Sequence, residues 1–431
     1  MRIWDTDVCI TRILLALVCL CAPASFSWTA EKNGAILVRE LTMDSARPVD
    51  LSSDGRFILT IGERKNPERS GLRLSVLAVY ETNKGKIVGK PVIETERKFT
   101  AAIFDGPQRV LALKTQRIYP YHSSPALLEW DFISGALSER PVKLGEGFMP
   151  ACILNSRQLA GVVYAPDTKR GFLAQELLTV SEENDLRRLR QPSASPSYGP
   201  RFHTLSTLLG DNCNAWRSGD SILLANTNPG DLHRVSIQPD KDPILCHSFP
   251  GEIICGQAVS PDGSLIAVVT IDRDLNKLAR VAEVPPVFLN ILQAQTCKPV
   301  RRFLLEFPEK PVWRSYALSR KKYMDNHLFF RQLASRMAIS PDNTKLALAY
   351  GIYKSSDGTA HFGLYSLSDG RRLATLRGNK NRGGFWQGFI GNGEIWASSA
   401  PLTGILQFSP DSRMLYAGSQ GVFHWDISGL R

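Results

Sequence analysis

Val259-Ser260-Pro261-Asp262-Gly263 runs straight into the apolar stretch Leu265-Ile266-Ala267-Val268-Val269. The same phrase returns as Ile339-Ser340-Pro341-Asp342-Asn343 and as Phe408-Ser409-Pro410-Asp411-Ser412, with a weaker copy at Leu51-Ser52-Ser53-Asp54-Gly55. A phrase that recurs at intervals of tens of residues marks an array of similar units. Its chemistry is that of a tight turn: Asp, Asn and Gly tolerate the positive φ that such turns need. The apolar run that follows each copy reads as a strand.

Looser versions of the pattern fill the gaps between the clear copies. A turn of Asp, Asn or Gly precedes a strand-like run at Asp105-Gly106, Asn155-Ser156 and Gly219-Asp220 as well. The seven turns are marked by positions 54, 105, 155, 220, 262, 342 and 411. A four-stranded propeller blade takes about 40–45 residues, so the longer intervals carry insertions. The spacing predicts an all-β chain folded as a single β-propeller, with seven blades of four antiparallel strands. The last unit has room for only three strands before the chain ends. The strand candidate at residues 35–41 is expected to supply the fourth and close the ring, since an open ring leaves sheet edges exposed. The propeller is thus expected over residues 35–431, with insertions near 313–335 and 382–401.

A second signature ends several units. It reads Leu128-Glu129-Trp130-Asp131-Phe132-Ile133-Ser134-Gly135 and Val422-Phe423-His424-Trp425-Asp426-Ile427-Ser428-Gly429. Degenerate forms run from Leu77-Ala78-Val79-Tyr80-Glu81 to Lys84-Gly85, and from Gly363-Leu364-Tyr365-Ser366 to Asp369-Gly370. With the Ser-Pro-Asp turns, these residues make the chain resemble the WD-repeat-like β-propellers of bacteria, at the level of the repeat, over residues 38–429. The resemblance implies an interaction platform rather than a particular activity.

Residues 1–27 have the layout of a secretory signal. Arg2 and Arg12 precede the apolar residues 13–21, and small residues follow at Ala22-Pro23-Ala24 and Ser25-Phe26-Ser27, so cleavage is expected after Ala24 or Ser27. A buried N-terminal helix is the competing reading. The apolar run is too short to span a bilayer, and no other stretch is long and apolar enough to do so. The expectation is an exported protein, periplasmic or extracellular, with no transmembrane segment once the leader is removed. Asp5 and Asp7 are unusual in a leader and leave the true start codon open.

The chain of 431 residues has a formal net charge of +11, with 43% apolar and 22% charged residues. This fits a globular protein rather than a disordered one. The leader holds two Arg and two Asp, so its removal leaves +11. The densest basic stretches are Arg187-Arg188-Leu189-Arg190, Arg320-Lys321-Lys322 and the run holding Arg377, Lys380 and Arg382. They read either as solvated loops or as attraction to an anionic surface such as envelope polymer or phospholipid headgroups. No nucleic-acid motif is present, and export argues against such a partner.

Of eight cysteines, three lie in the leader, leaving Cys152, Cys213, Cys246, Cys255 and Cys297. An odd number leaves one outside any intramolecular pairing. A Cys246–Cys255 disulfide and two buried thiols are equally open readings. The motifs of common chemistries are missing: no G-x-S-x-G, no phosphate loop, no C-x-x-C or C-x-x-C-H, no paired histidines. Ala417-Gly418-Ser419-Gln420-Gly421 reads as a blade turn. Asp272, Asp274, Asn276 and Glu283 have half the spacing of a calcium loop, but Lys277 stands where Gly is needed. No catalytic, cofactor or metal residue is assigned.

The candidate partner-binding residues are Arg320, Lys321 and Lys322 in one insertion and Phe385 and Trp386 in the other, the aromatics as stacking surface or as loop packing. The favoured function is a non-enzymatic binding or scaffold module for a protein or an anionic envelope component, with no cofactor. The alternative is a hydrolase- or lactonase-type propeller enzyme with its site in the central channel; a subunit of a redox complex similar to quinoprotein dehydrogenases has no motif behind it.

Overall fold

The computed structural model describes residues 36–42, 46–67, 73–117, 122–142, 148–155, 158–167, 171–180, 186–188, 217–218, 221–226, 230–236, 241, 244–272, 286–306, 336–350, 359–380, 390–391, 394–395, 405–418 and 421–430. Among them there is no helix. Strand β1 (Ile36–Thr42) precedes the first unit. The first sheet is β2 (Ala46–Leu51), β3 (Phe57–Lys65), β4 (Arg73–Glu81) and β5 (Ile87–Glu94). The second is β6 (Lys98–Phe104), β7 (Arg109–Arg117), β8 (His122–Asp131) and β9 (Leu137–Pro141). The third is β10 (Phe148–Asn155), β11 (Gln158–Asp167), β12 (Gly171–Val180) and β13 (Leu186–Arg188). The fourth is β14 (Arg217–Ser218), β15 (Ser221–Asn226), β16 (Asp231–Ser236) and β17 (Ile244–Ser248).

The fifth sheet is β18 (Glu252–Val259), β19 (Leu265–Asp272), β20 (Val287–Gln293) and β21 (Pro299–Leu305). The sixth is β22 (Arg336–Ile339), β23 (Lys345–Tyr350), β24 (Thr359–Ser366) and β25 (Arg372–Lys380). A two-stranded hairpin, β26 (Ile390–Gly391) with β27 (Glu394–Ile395), lies inside the second expected insertion. The seventh sheet holds β28 (Ile405–Phe408), β29 (Met414–Gly418) and β30 (Gly421–Asp426), and β1 completes it by pairing antiparallel with β30, Ile36 opposite Asp426. All seven sheets have four antiparallel strands in meander order, and each expected turn falls between the first and second strand of one sheet. This is a β-propeller.

In the sheets whose side chains are described on both faces, both faces are apolar, so each must be covered by a neighbour. Trp130, Leu59 and Leu77 share one buried cluster between the first and second sheets. Corresponding clusters join second to third, fourth to fifth, fifth to sixth, sixth to seventh and seventh to first. First strands of neighbouring sheets lie against one another, β2 with β6, β6 with β10, β18 with β22, β22 with β28 and β28 with β2, which places them innermost.

The Ser-x-Asp phrase is a hydrogen-bonded unit, repeated atom for atom in four sheets. The serine hydroxyls of Ser52, Ser260, Ser340 and Ser409 donate to the aspartate two residues on, at 2.7, 2.5, 2.5 and 2.5 Å. The same oxygens accept the amide that opens the second strand: Phe57, Leu265, Lys345 and Met414, at 2.8–2.9 Å. Each aspartate also accepts the amide two residues further along, from Arg56, Ser264, Thr344 and Arg413. The fourth turn residue then takes positive φ: 72° at Gly55, 70° at Gly263, 57° at Asn343 and 61° at Ser412. Neighbouring turns touch. Asn343 Nδ2 donates to Asp262 Oδ2 at 2.7 Å, and the Asp342 amide donates to the Ser412 hydroxyl at 3.1 Å.

The fifth sheet departs from the repeat at one residue. After the third strand, the turn ends in a residue of positive φ whose amide bonds back four residues: Gly85 to Glu81, Gly135 to Asp131, Gly370 to Ser366. In the fifth sheet that residue is Cys297, with φ 58° and its amide bonded to the Gln293 carbonyl at 2.8 Å. Its sulfur is bonded to Cys246 on β17. The disulfide thus ties the outer strand of the fourth sheet to a turn of the fifth. The Cys246–Cys255 pairing is thereby corrected. Cys255 faces the cluster shared with the sixth sheet, while Cys246 and Cys297 belong to the cluster shared by fourth and fifth. The fifth sheet thus stands between Cys255 on one face and the Cys246–Cys297 pair on the other. Cys255 is a buried thiol, and burial pushes its pKa up.

Two predictions follow from these turns. Burial opposes ionisation of Asp54, Asp262 and Asp342, but bonds from serine and amide donors outweigh it and hold their carboxyls below the ordinary 3.8, Asp262 at about 2. In Asp411 the Ser409 bond leads in the same direction. A carboxyl lowered on folding adds stability above its unfolded pKa and loses it as pH falls through the folded one. The urea midpoint is therefore expected to drop as pH is lowered from about 4 to about 2, and less steeply in Asp262→Asn; equal slopes would refute the assignment. Second, in a Cys246→Ala background, Cys297→Gly is expected to be more stable than Cys297→Ser by about 1 kcal/mol, the cost of a left-handed non-glycine residue. Both are expected below the disulfide-bonded protein, by about 2–4 kcal/mol for the serine variant. Denaturant titration reads the order.

Candidate functional site

The innermost strands would line a central channel, and chemistry there would need polar residues on them. The seven first strands carry two carboxylates, Asp50 and Glu252, and no histidine. Asp50 is buried and joins three sheets: Oδ2 accepts the Phe104 amide of the second sheet at 2.8 Å, while Oδ1 accepts the Leu51 amide at 3.0 Å and Gln407 Nε2 of the seventh at 3.2 Å. Gln257 Nε2 reaches across to the Leu223 carbonyl of the fourth sheet at 2.7 Å. The Oε1 atoms of Gln257 and Gln407 are buried and take no protein donor. At the described part of the axis, polar side chains thus mostly bridge sheets.

Glu252 begins a polar line across the whole fifth sheet. Thr270 on β19 donates to Glu252 Oε2 at 2.5 Å, and Asn290 Nδ2 on β20 donates to Thr270 Oγ1 at 2.9 Å. Arg302 on β21 donates to Asn290 Oδ1 at 3.3 Å and returns to Glu252 Oε1 at 2.7 Å. Its guanidinium lies 4.0 Å from the centroid of Phe288. Thr270 is in step with Ile266 and Val268 at two-residue spacing, and those pack toward the fourth sheet, so the line lies on that side. His247 is nearby: burial lowers its pKa, partly opposed by Glu252, and its ring meets Phe249 edge-on at 4.7 Å. The cation is fixed in orientation, with part of its surface open.

A second charged group joins the first and second sheets at the strand ends remote from the Ser-x-Asp turns. Lys114 on β7 has a side chain only 5% exposed and binds Glu94 of β5 and Glu139 of β9, the latter at 2.5 Å. Arg97 also binds Glu139 at 2.7 Å, and Glu63 takes Lys98 and Arg73. Burial would lower the Lys114 pKa, but the hydrogen bonds from its amine to Glu139 and Glu94 raise it overall. Among the described residues no three His, Cys, Asp or Glu side chains are grouped to hold a metal ion.

The rim carries the apolar surface. Ile87 and Ile93 on β5, Leu137 on β9, Ile244 and Leu245 on β17, and Val300 and Leu304 on β21 are all exposed, as is Ile133 in the turn leading to β9. These are outermost strands or their approach.

Of the residues expected to bind a partner, Arg320, Lys321, Lys322, Phe385 and Trp386 all lie outside the described residues. So do most of the calcium-like spacing and Arg190. Arg187 and Arg188 fall on β13, the outermost strand of the third sheet. Residues 418 and 421 end β29 and begin β30, so the Gly418–Gly421 stretch is a hairpin connection, as expected. His424 is buried and stacked on Tyr416. Asp50, Lys114 and Arg302 were missed, because each gains its partners from other strands. Cys297 had a readable signal: it stands five residues into a Gln293-Ala294-Gln295-Thr296-Cys297 turn whose counterparts end in glycine.

No protein-family description matches the chain. No curated protein matches it in sequence. Among solved structures it is similar to an oligogalacturonate lyase in complex with manganese, with a TM-score of 0.52 at 10% identity over 92% of this chain and 97% of that one. It also matches the C-terminal WD40 domain of Sif2 (0.40, 8%, 91% and 98%) and the Niastella koreensis GH74 enzyme (0.44, 13%, 88% and 53%). The lyase likeness is one of fold.

The Lys114 group yields a prediction. Lys114→Met keeps the bulk but leaves Glu94 and Glu139 facing each other with one cation fewer. Its stability deficit is expected to be large at pH 7 and to shrink as pH falls through the carboxylate range, because protonation removes the repulsion. Thermal melts of both proteins from pH 7 to pH 4 check this; a deficit independent of pH would mean that Lys114 acts by packing alone.

Proposed function

We propose that the protein is an exported β-propeller that serves as a non-enzymatic binding module for a protein or an anionic component of the cell envelope. The observation that carries this reading is the division of labour between axis and rim. At the described axis, Asp50 and Gln257 are engaged in bonds between sheets. At the rim, large aliphatic side chains stand exposed on the outermost strands. Exposed apolar surface of this kind marks interaction sites. The net charge of +11 favours an anionic partner. A disulfide between two sheets suits the oxidising compartment that the leader-like residues 1–27 would deliver the chain to.

An enzyme with its site at the axis, of hydrolase, lactonase or lyase type, is the alternative; the fold likeness to the lyase is what speaks for it. It requires carboxylates or histidines from several sheets converging in the channel.

The test is capture from an envelope fraction at about 0.1 M and about 1 M salt, across which the screening length falls from about 10 to about 3 Å. Specific capture at low salt that is lost at high salt is expected. Capture indifferent to salt refutes the anionic partner, and turnover of an oligosaccharide or lactone panel refutes the non-enzymatic reading.

A further inference from the structure

At three junctions the outer strand of one sheet meets its neighbour in the same way. The fourth strand lies against the turn that follows the third strand of the next sheet. In two of them the close approach rests on glycine. A Cβ on Gly89 of β5 would stand 1.9 Å from the Phe132 carbonyl oxygen, and one on Gly370 would stand 2.4 Å from the Phe303 side chain on β21. Between the fourth and fifth sheets the same approach is a covalent bond, from Cys246 on β17 to Cys297 in the turn after β20. That junction is also polar inside: Gln257, Thr270 and Asn290 are buried there.

The two sulfurs stand in different electrostatic surroundings. Arg234 on β16 directs Nη2 to Cys297 Sγ at 3.4 Å and Nη1 to the Gln295 carbonyl at 3.2 Å. Its Nε is buried and donates to no protein acceptor. Among the described residues no carboxylate binds this guanidinium, whereas Arg302 is paired with Glu252. The exposed Lys298 follows Cys297 directly. Cys246 has no cation bonded to it among the described residues. His247 follows it, its pKa lowered by burial against the opposing charge of Glu252. Asp231 is bound to the Ser248 hydroxyl, and the charged residues preceding Cys246 in the chain are Asp242, Lys241 and Asp240. A cation against a sulfur gains little from a neutral cystine and much from a thiolate. The sulfur that makes the better thiolate is the better leaving group. Cys297 also bears the cost of a left-handed backbone, at φ 58°. Cys246 keeps 9% exposure on an outermost strand, beside the exposed Leu245.

We propose that the Cys246–Cys297 bond is a redox latch, opened by a dithiol that attacks Cys246 and releases Cys297 onto Arg234. The attacking thiolate bonds to Cys246 Sγ, the cystine bond breaks, and its electron pair leaves on Cys297 Sγ. The second thiolate of the reductant then displaces Cys246, and the reductant ends as a cyclic disulfide. Two electrons pass to the protein. Of the two protons the reductant gives up, one goes to Cys246 and the other to solvent or, at lower pH, to Cys297. The outer margins of the two sheets are then held by side-chain contacts alone. Such a latch works whether or not the propeller binds an envelope component.

The experiment starts from the oxidised full chain. Brief exposure to excess glutathione at about pH 7, quenched with acid, is expected to leave the mixed disulfide on Cys246, read by peptide mass; an adduct on Cys297 overturns the proposal. With dithiothreitol, Arg234→Met is expected to be reduced about fivefold more slowly than wild type, and Arg234→Lys nearly as fast as wild type. In Cys246→Ser, the pH midpoint for alkylation of Cys297 is expected below the ordinary thiol value of about 8.5, and to rise when Arg234→Met is added. An unchanged midpoint overturns the role of Arg234, whatever that variant does to stability. Hydrogen exchange reads the opening itself. Reduction is expected to speed exchange of the β17 amides by about tenfold or more and to leave β8 and β24 as they were. Faster exchange in all sheets alike, or in none, overturns the latch.

Discussion

A four-stranded sheet that is apolar on both faces cannot remain in water alone, and everything else in this protein answers that constraint. Leu59, Leu77 and Trp130 in one junction, and Leu289, Leu348 and Tyr365 in another, are buried because a neighbouring sheet covers them. Burying a large aliphatic or aromatic side chain is worth about 1.5–3 kcal/mol, so each junction outweighs any single polar bond described here. The polar contacts have a different task. They set register and angle between sheets that the apolar contacts would hold together in many ways. The carboxylate of Asp50, shared by the seventh, first and second sheets, and the contact of Asn343 with Asp262 are of this kind.

Much of the fold was legible because its repeat is written in turn chemistry. Serine and aspartate at two-residue spacing form a closed hydrogen-bond unit, and such a unit tolerates few other residues, so the phrase survives in the text of the chain. The same holds for the residue of positive φ after it, and for the Trp-Asp strand ends. The pairing of β1 with β30 was inferable because a three-stranded last unit would have left an edge open. Three-dimensional partners are another matter. Lys114 looks like any surface lysine in sequence; its burial comes from Glu94 and Glu139, each some twenty or more residues away. Arg302 needs Glu252, fifty residues earlier, and Phe288 on the neighbouring strand. Contacts of this range leave no local pattern.

The disulfide shows where local reading went astray. Cys246 and Cys255 are close in sequence and flank a turn, which makes them look like partners. Strand geometry decides otherwise, because a side chain's face depends on the parity of its position and on where the register slips, and β18 slips between Ile254 and Gly256, at Cys255 itself. The repeat contained the better clue. A cysteine in a slot that the other turns fill with glycine is a residue tolerated against its own backbone preference, and the covalent bond to the previous sheet is the compensating reason.

That bond also closes a loop across the repeat. Cys246 and Cys297 are 51 residues apart, and the segment between them contains β18, β19 and β20. A crosslink of this span removes freedom chiefly from the unfolded chain. Among the described residues, the seam between the fourth and fifth sheets is thus covalently fastened as well as packed, and a reductant would loosen that seam while leaving the packing of the others untouched.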